Sequence, residues 1–233
     1  MEVQPTHRYI EFVGPHTSGK TTTMRTIIEQ DLVAPYSCVT PYELKRSQLH
    51  FYLSVPWLAL RQWRHLWFLT SFFLRYTKLQ WTNFKDAWQY LFKMIILHPY
   101  YKRFSFDVWI KDDMLHLLPH IVFRDGIDVQ AAFREYVEHF LYLYDGLIYM
   151  DVARETMLTR AYDRNKEASE WYQNDRLVVY ERTLLQSQAL KTILREQQQV
   201  PYLELNGTDD LDSNTSQAAA FIKQIVAGSA SPL

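Results

Sequence analysis

Apolar positions along this chain switch between strand-like runs and helical spacing, and the switches divide it into elements. Arg8-Tyr9-Ile10-Glu11-Phe12-Val13 is β-branched and aromatic, the composition of a buried strand. Met24, Ile27, Ile28 and Leu32 then recur at helical spacing over residues 22–32. Residues 35–40 read as a second short strand, and residues 104–110 (FSFDVWI) as a third, central one that runs into Lys111-Asp112-Asp113. Residues 114–118 start a helix for which the Asp pair is an alternative cap. A turn at Phe123-Arg124-Asp125-Gly126 precedes a helix over 129–143 built on Phe133, Val137, Phe140 and Leu141 and stopped by Asp145-Gly146. Residues 147–152 form a fourth strand, followed by a polar helix. Residues 176–198 are a long amphipathic helix on Leu177, Tyr180, Leu184, Leu185 and Leu194, and residues 201–205 are a fifth strand. After a turn at 206–210, Ser213 is the expected cap of a last helix that buries Ala218, Phe221, Ile222 and Ile225.

Strands that alternate with helices predict an α/β fold with a parallel sheet covered on both faces. Right-handed crossovers place the loop after the first strand in the middle of a five-stranded sheet. The expectation is one three-layer domain over 1–233, with a helical segment at 41–103 and a lid at 154–176.

Gly14-Pro15-His16-Thr17-Ser18-Gly19-Lys20-Thr21 fits G-x-x-x-x-G-K-[ST], the phosphate-binding loop, and it sits between a strand and a helix as that loop requires. Gly14 and Gly19 permit positive φ and close backbone approach. Successive N–H groups then form an anion-binding nest at a helix N-terminus. Lys20 reaches the β- and γ-phosphates, and the Thr21 hydroxyl is a ligand for Mg²⁺. His16, Thr17, Ser18 and Thr22 complete the expected nucleotide cradle. Thr208, in the turn after the fifth strand, lies near the expected adenine.

Composition narrows the partners. The 233 residues carry a formal net charge of -1, which argues against general nucleic-acid binding. That charge is unevenly spread. Residues 41–106 hold ten Lys and Arg against two Asp and Glu, with 19 aromatics that include Trp57, Trp63, Trp67, Trp81 and Trp88. This basic aromatic stretch suits a helical layer, an acceptor pocket for a small anion or nucleoside, or a membrane surface. The single cysteine, Cys38, excludes an internal disulfide and suits a reducing cytoplasm. Met1 to His7 has no apolar leader pattern, and the longest apolar runs are too short and too interrupted by Arg and Lys to span a bilayer.

Candidate catalytic groups cluster at expected strand ends, where open α/β sheets bind ligands. Glu43 follows the second strand and is a candidate base, with a solvated first-turn glutamate as the plain alternative. Asp112 and Asp113 follow the third strand, and Asp113 is the preferred Mg²⁺-holding acid of the two. Arg160 and Arg164 follow the fourth strand four residues apart, on one helix face, as a clamp for phosphate oxygens. His116 and His120 also share a metal-ligand spacing, but Pro119 breaks the helix between them and no third ligand is evident.

The loop GPHTSGKTT, the acid Glu43, the segment DVARETMLTRAYDR and the late PYLELNGTDDLDSN resemble the P-loop nucleotide and nucleoside kinases, in their thymidylate kinase-like and deoxynucleoside kinase-like branch. The resemblance covers roughly residues 8–43 and 104–226. It implies ATP with Mg²⁺ as donor, strand order 2-3-1-4-5 and Arg160 and Arg164 as lid arginines. A homodimer is compatible with it. The chain departs from the family where an Asp-Arg pair is usual and Asp112-Asp113 stands instead, and its acceptor half lacks the thymidylate kinase motifs. A non-catalytic nucleotide-binding or accessory protein, as in envelope or polysaccharide synthesis, is the other reading. A GTPase switch fails because Asn165-Lys166-Glu167-Ala168 lacks the final Asp of the guanine-reading motif and follows a helix.

Overall fold

The computed structural model describes residues 7–39, 57, 59–78, 106–111, 115, 118–165 and 170–228, with the side chains of 164, 165 and 170–177 left out. Glu43, Asp112, Asp113, His116 and much of the basic aromatic stretch lie outside these residues. The described elements are β1 (Arg8–Val13), α1 (Lys20–Glu29), β2 (Cys38–Val39), α2 (Trp63–Tyr76), β3 (Val108–Lys111), α3 (Val129–Phe140), β4 (Gly146–Asp151), α4 (Arg154–Asn165), α5 (Glu170–Glu196), β5 (Tyr202–Asn206) and α6 (Leu211–Val226), with 3₁₀ turns at Leu118–His120 and Leu141–Leu143.

The five strands form one parallel sheet in the order β2-β3-β1-β4-β5, the predicted 2-3-1-4-5. Alternation along β1 explains the layers. Tyr9 and Val13 join Trp109, Leu147 and Tyr149 in a core shared with α2, α3 and α5. Ile10 and Phe12 join Val108, Ile110, Ile148 and Met150 in a second core under α1 and α6. Both faces are therefore covered, and β1 runs through the centre with its carboxyl end feeding the glycine-rich loop. A third, smaller cluster of Val152, Met157 and Leu184 joins α4 to α5.

Some boundaries differ from the sequence reading. The second strand is only Cys38–Val39 among the described residues, shorter than 35–40. The third is displaced to Val108–Lys111, because Lys111 is buried in register beside the equally buried Glu11 rather than turning into solvent. The first helix starts at Lys20 rather than Thr22. The last helix is capped by Asp210 rather than Ser213: the Asp210 carboxylate accepts from the N–H groups of Asp212 and Ser213, which starts the helix earlier.

Candidate functional site

The loop after β1 takes its shape from three residues at positive φ: Gly14 at 138°, Thr17 at 60° and Gly19 at 101°. The two glycines are required for different reasons. A Cβ on Gly14 would lie 2.3 Å from the Met150 carbonyl oxygen, so only glycine lets the loop pass this close to β4. At Gly19 the nearest atom is the Met150 Cε at 3.5 Å, and the backbone angle alone sets the requirement. Gly19 is also the N-cap of α1 and supplies no capping side chain. No side chain of its own competes for the first N–H groups of the helix, which is the condition for an anion site there.

Lys20 is buried, and its Nζ donates to the carbonyls of Gly14 at 2.8 Å and Pro15 at 2.6 Å and to the Ser18 hydroxyl at 3.2 Å. The ammonium thus lies folded over the loop, with positive charge held inside its curve. Ser18 is fully buried, while Thr21 and Thr22 are exposed on the first turn of α1. His16 is half-buried, with its ring centroid 4.2 Å from that of His120 and 5.4 Å from that of Tyr180. Burial, reinforced by the nearby charges of His16, Lys20 and Arg182, pushes His120 down to about 3. His120 is therefore neutral at ordinary pH and adds no positive charge beside Lys20.

Helix α4 closes on this loop through Thr17. The Thr17 hydroxyl donates to the Met157 carbonyl at 3.2 Å, and Arg160 Nη1 donates to the Thr17 carbonyl at 3.0 Å. The structure thus brings Arg160 to the rim of the loop. Arg164 lies one turn further along α4, and its side chain is outside the described residues.

Beyond the loop, a cleft of about 770 Å³ opens between α4, α5 and the β5–α6 turn, with Asp151, Arg154, Gln188, Asn206 and Thr208 among its walls. The turn is fitted against the loop at Gly207. A Cβ there would meet the Ser18 carbonyl oxygen at 2.3 Å and the Asp151 carbonyl oxygen at 2.8 Å. Thr208 is exposed on the cleft wall, where its hydroxyl and N–H both donate to Asn206 Oδ1. Beside the cleft, Lys191 Nζ bridges Asp151 Oδ2 at 2.5 Å and Glu204 Oε1 at 2.7 Å, tying the end of β4 and the middle of β5 to α5. Asp151 also accepts from the Val152 N–H and from Gln188 Nε2, so its carboxylate is committed to structure.

Sequence reading missed Gly207, Lys191, Arg182 and the His16–His120 contact. For Gly207 a signal existed, since a glycine after a strand can mark close backbone approach. Lys191 and Arg182 lie on a helix read only for its apolar stripe, and His16 and His120 come together from distant parts of the chain. Among the described residues no group of three or more His, Cys, Asp or Glu is placed to hold a metal ion.

No family model matches the chain, and a search of curated proteins finds no match. Among solved structures, the chain is similar to that of a deoxyadenosine kinase from M. mycoides with bound dATP, at 14% sequence identity and a TM-score of 0.50, over 92% of this chain and 98% of that one. At that identity the likeness speaks for the fold. With the sheet order and the glycine-rich loop already described, the chain has a P-loop kinase-like α/β fold.

Proposed function

We propose that this chain is an ATP-dependent phosphotransferase whose acceptor is a small molecule, a nucleotide or nucleoside. The contact that carries the reading is Arg160 on the Thr17 carbonyl. It sets a guanidinium from a separate helix at the rim of a loop already built for phosphate. Two cations, Lys20 from within and Arg160 from the rim, then flank the place where a transferring phosphoryl group gathers charge. The likeness to a kinase solved with a nucleotide supports the same reading at the level of fold.

Positive φ at three positions, a glycine N-cap and a buried lysine support a nucleoside triphosphate as the occupant of this cradle. When bound, Mg²⁺ would neutralise developing charge on the phosphates. The exposed Thr21 hydroxyl is the described residue suited to ligate it, with Asp113, or Asp112, as the proposed carboxylate. Lys20 orients and neutralises phosphate oxygens, and Arg160 and Arg164 close over them. Glu43 is the proposed base for an acceptor hydroxyl. Thr208 and the cleft beside it would take the adenine.

The test is ADP release measured across a panel of nucleosides, nucleotides and sugar phosphates. Acceptor-dependent turnover in wild type and its loss in Lys20→Met support the proposal. Tight ATP binding with no acceptor-dependent turnover for any compound in the panel would favour the accessory nucleotide-binding reading.

A further inference from the structure

The helix α2 has two apolar faces, and the protein uses one. Leu69, Phe72 and Phe73 are buried against the sheet and α3. On the other side lie Leu60, in the turn that precedes the break at Gln62, and Trp63, Trp67 and Leu74, whose spacing of four and seven places them on one stripe of α2. They are 74%, 57%, 70% and 50% exposed, and Trp57 nearby is 51% exposed. Large apolar side chains left this open in a row mark an interaction surface rather than scatter.

The charge beside the stripe identifies what it meets. Between Trp57 and Lys78 the sequence contains Arg61, Arg64, Arg75 and Lys78 and no Asp or Glu. Arg75 and Lys78 are taken by Glu135 and Asp125. Arg61 and Arg64 instead lie over the rings of Trp57 and Trp63, at 5.5 and 5.8 Å from their centroids. Indole rings flanked by guanidiniums suit the boundary between lipid headgroups and acyl chains, where the ring is half apolar and the cation meets phosphate. A second copy of the chain is the poorer occupant. A two-fold contact through this stripe would bring Arg61 and Arg64 towards their own counterparts. No helix among the described residues is long and apolar enough to cross a membrane.

We propose that this face of α2 docks the protein on an anionic lipid bilayer, with Trp63 and Trp67 inserted at the interface and Arg61 and Arg64 on lipid phosphates. The proposal is independent of the catalytic reading.

The test is co-sedimentation of the full chain with phosphatidylcholine vesicles, with and without about one third phosphatidylglycerol. Wild type should bind the anionic vesicles several-fold more than the neutral ones, and about 1 M salt, where screening acts within about 3 Å, should weaken binding strongly. Trp63→Ser with Trp67→Ser should weaken partition about tenfold or more, with an unchanged circular dichroism spectrum, since both side chains are exposed. Val178→Ser, an exposed aliphatic on α5, should bind as wild type does. Failure of folded wild type to bind anionic vesicles, or equal binding by the double variant, would overturn the proposal. So would a dimer in sedimentation velocity that the double variant abolishes while vesicles bind neither protein.

Discussion

Arg160 and Thr17 meet across most of the chain: the guanidinium donates to the Thr17 carbonyl at 3.0 Å, although 143 positions separate them. One residue of the glycine-rich loop is thereby held by a helix that begins after β4. If Arg160 acts on the transferring group, Arg160→Ala should lower kcat on the order of 100-fold while the KM for ATP changes less. Arg160→Lys should recover part of the rate, since it restores charge but not the fork. Steady-state kinetics decide this, and an unchanged kcat would leave the contact a purely structural one.

Lys20 calls for a variant that keeps its length. Its ammonium is held by two loop carbonyls and a hydroxyl, so truncation to alanine would loosen the loop as well as remove charge. Lys20→Met loses the same hydrogen bonds but fills the same space, and it should lower turnover by more than about 100-fold while the chain still folds. Turnover within about tenfold of wild type would remove the lysine from the chemistry.

Gly207 should prove less replaceable than a glycine in a turn usually is, because it is buried between exposed neighbours. Gly207→Ala drives a methyl into the Ser18 and Asp151 carbonyls, so the turn must retreat from the loop. A loss of about 1–3 kcal/mol in denaturant unfolding is expected, together with weaker ATP binding by titration calorimetry. Gly126→Ala is the contrast. That glycine has positive φ but nothing within 4 Å of an added Cβ. It should cost about 1 kcal/mol of backbone strain and leave ATP affinity unchanged.

A pair of histidines between α2 and α3 gives the fold a dependence on acid. His65 Nδ1 and His139 Nε2 lie 3.1 Å apart, Tyr142 OH is 2.7 Å from His65 Nε2, and Phe68 stacks on His139 at 3.7 Å. Burial lowers His65. Burial, then the charge of His65, brings His139 down to about 4 against an opposing pull from Glu135. Both are neutral in the fold at pH 7, whereas in the unfolded chain they take up protons near pH 6.5. Between about 6.5 and 4 the unfolded state therefore holds more protons, and stability falls as pH falls through that window. The melting temperature should drop across it, and His139→Phe, which keeps the stack on Phe68, should flatten the drop. An identical slope in the variant would assign the dependence to other groups.

Lys191 should matter more than a surface lysine does. It is the shared cation of Asp151 and Glu204, and its side chain is 11% exposed. Lys191→Met removes the cation between two carboxylates on neighbouring strands and leaves Glu204 only Arg195, so a loss of about 2 kcal/mol is expected in denaturant unfolding. Adding Glu204→Gln to that variant should restore part of the loss, and a double-mutant cycle measures the coupling.

Local chemistry made the glycine-rich turn between β1 and α1 legible in sequence, because Gly14, Gly19, Lys20 and Thr21 stand at fixed spacing within one short segment. The central strands β1 and β4 were legible because each is a mostly apolar run between polar breaks, whereas the edge strand β2 keeps only Cys38 and Val39. What was hidden depends on register and on distant neighbours. Lys111 reads as the end of a strand, and only the alignment of β3 on β1 shows it level with the buried Glu11. Asp210, Asp212 and Ser213 all suit a helix cap, and geometry alone decides among them. The candidate site was half legible: Arg160 was expected on its helix, but nothing in the sequence says that it grips Thr17. Glu43, Asp112 and Asp113 lie outside the described residues and stay proposals.

The strand order has a consequence for how the chain is made. β1 pairs with β3 and β4 and with nothing nearer in sequence: Arg8 aligns with Val108, and Ile10 with Gly146. At about 5–20 residues per second, the first strand leaves the ribosome some 5–20 seconds before its nearest partner exists. During that interval Tyr9, Ile10, Phe12 and Val13 have no sheet to join. Arg8 and Glu11 interrupt the run, and a charge within an apolar strand disfavours pairing with other chains. The glutamate that ends fully buried in the finished sheet would thus carry its charge in the open while the strand waits for its partners.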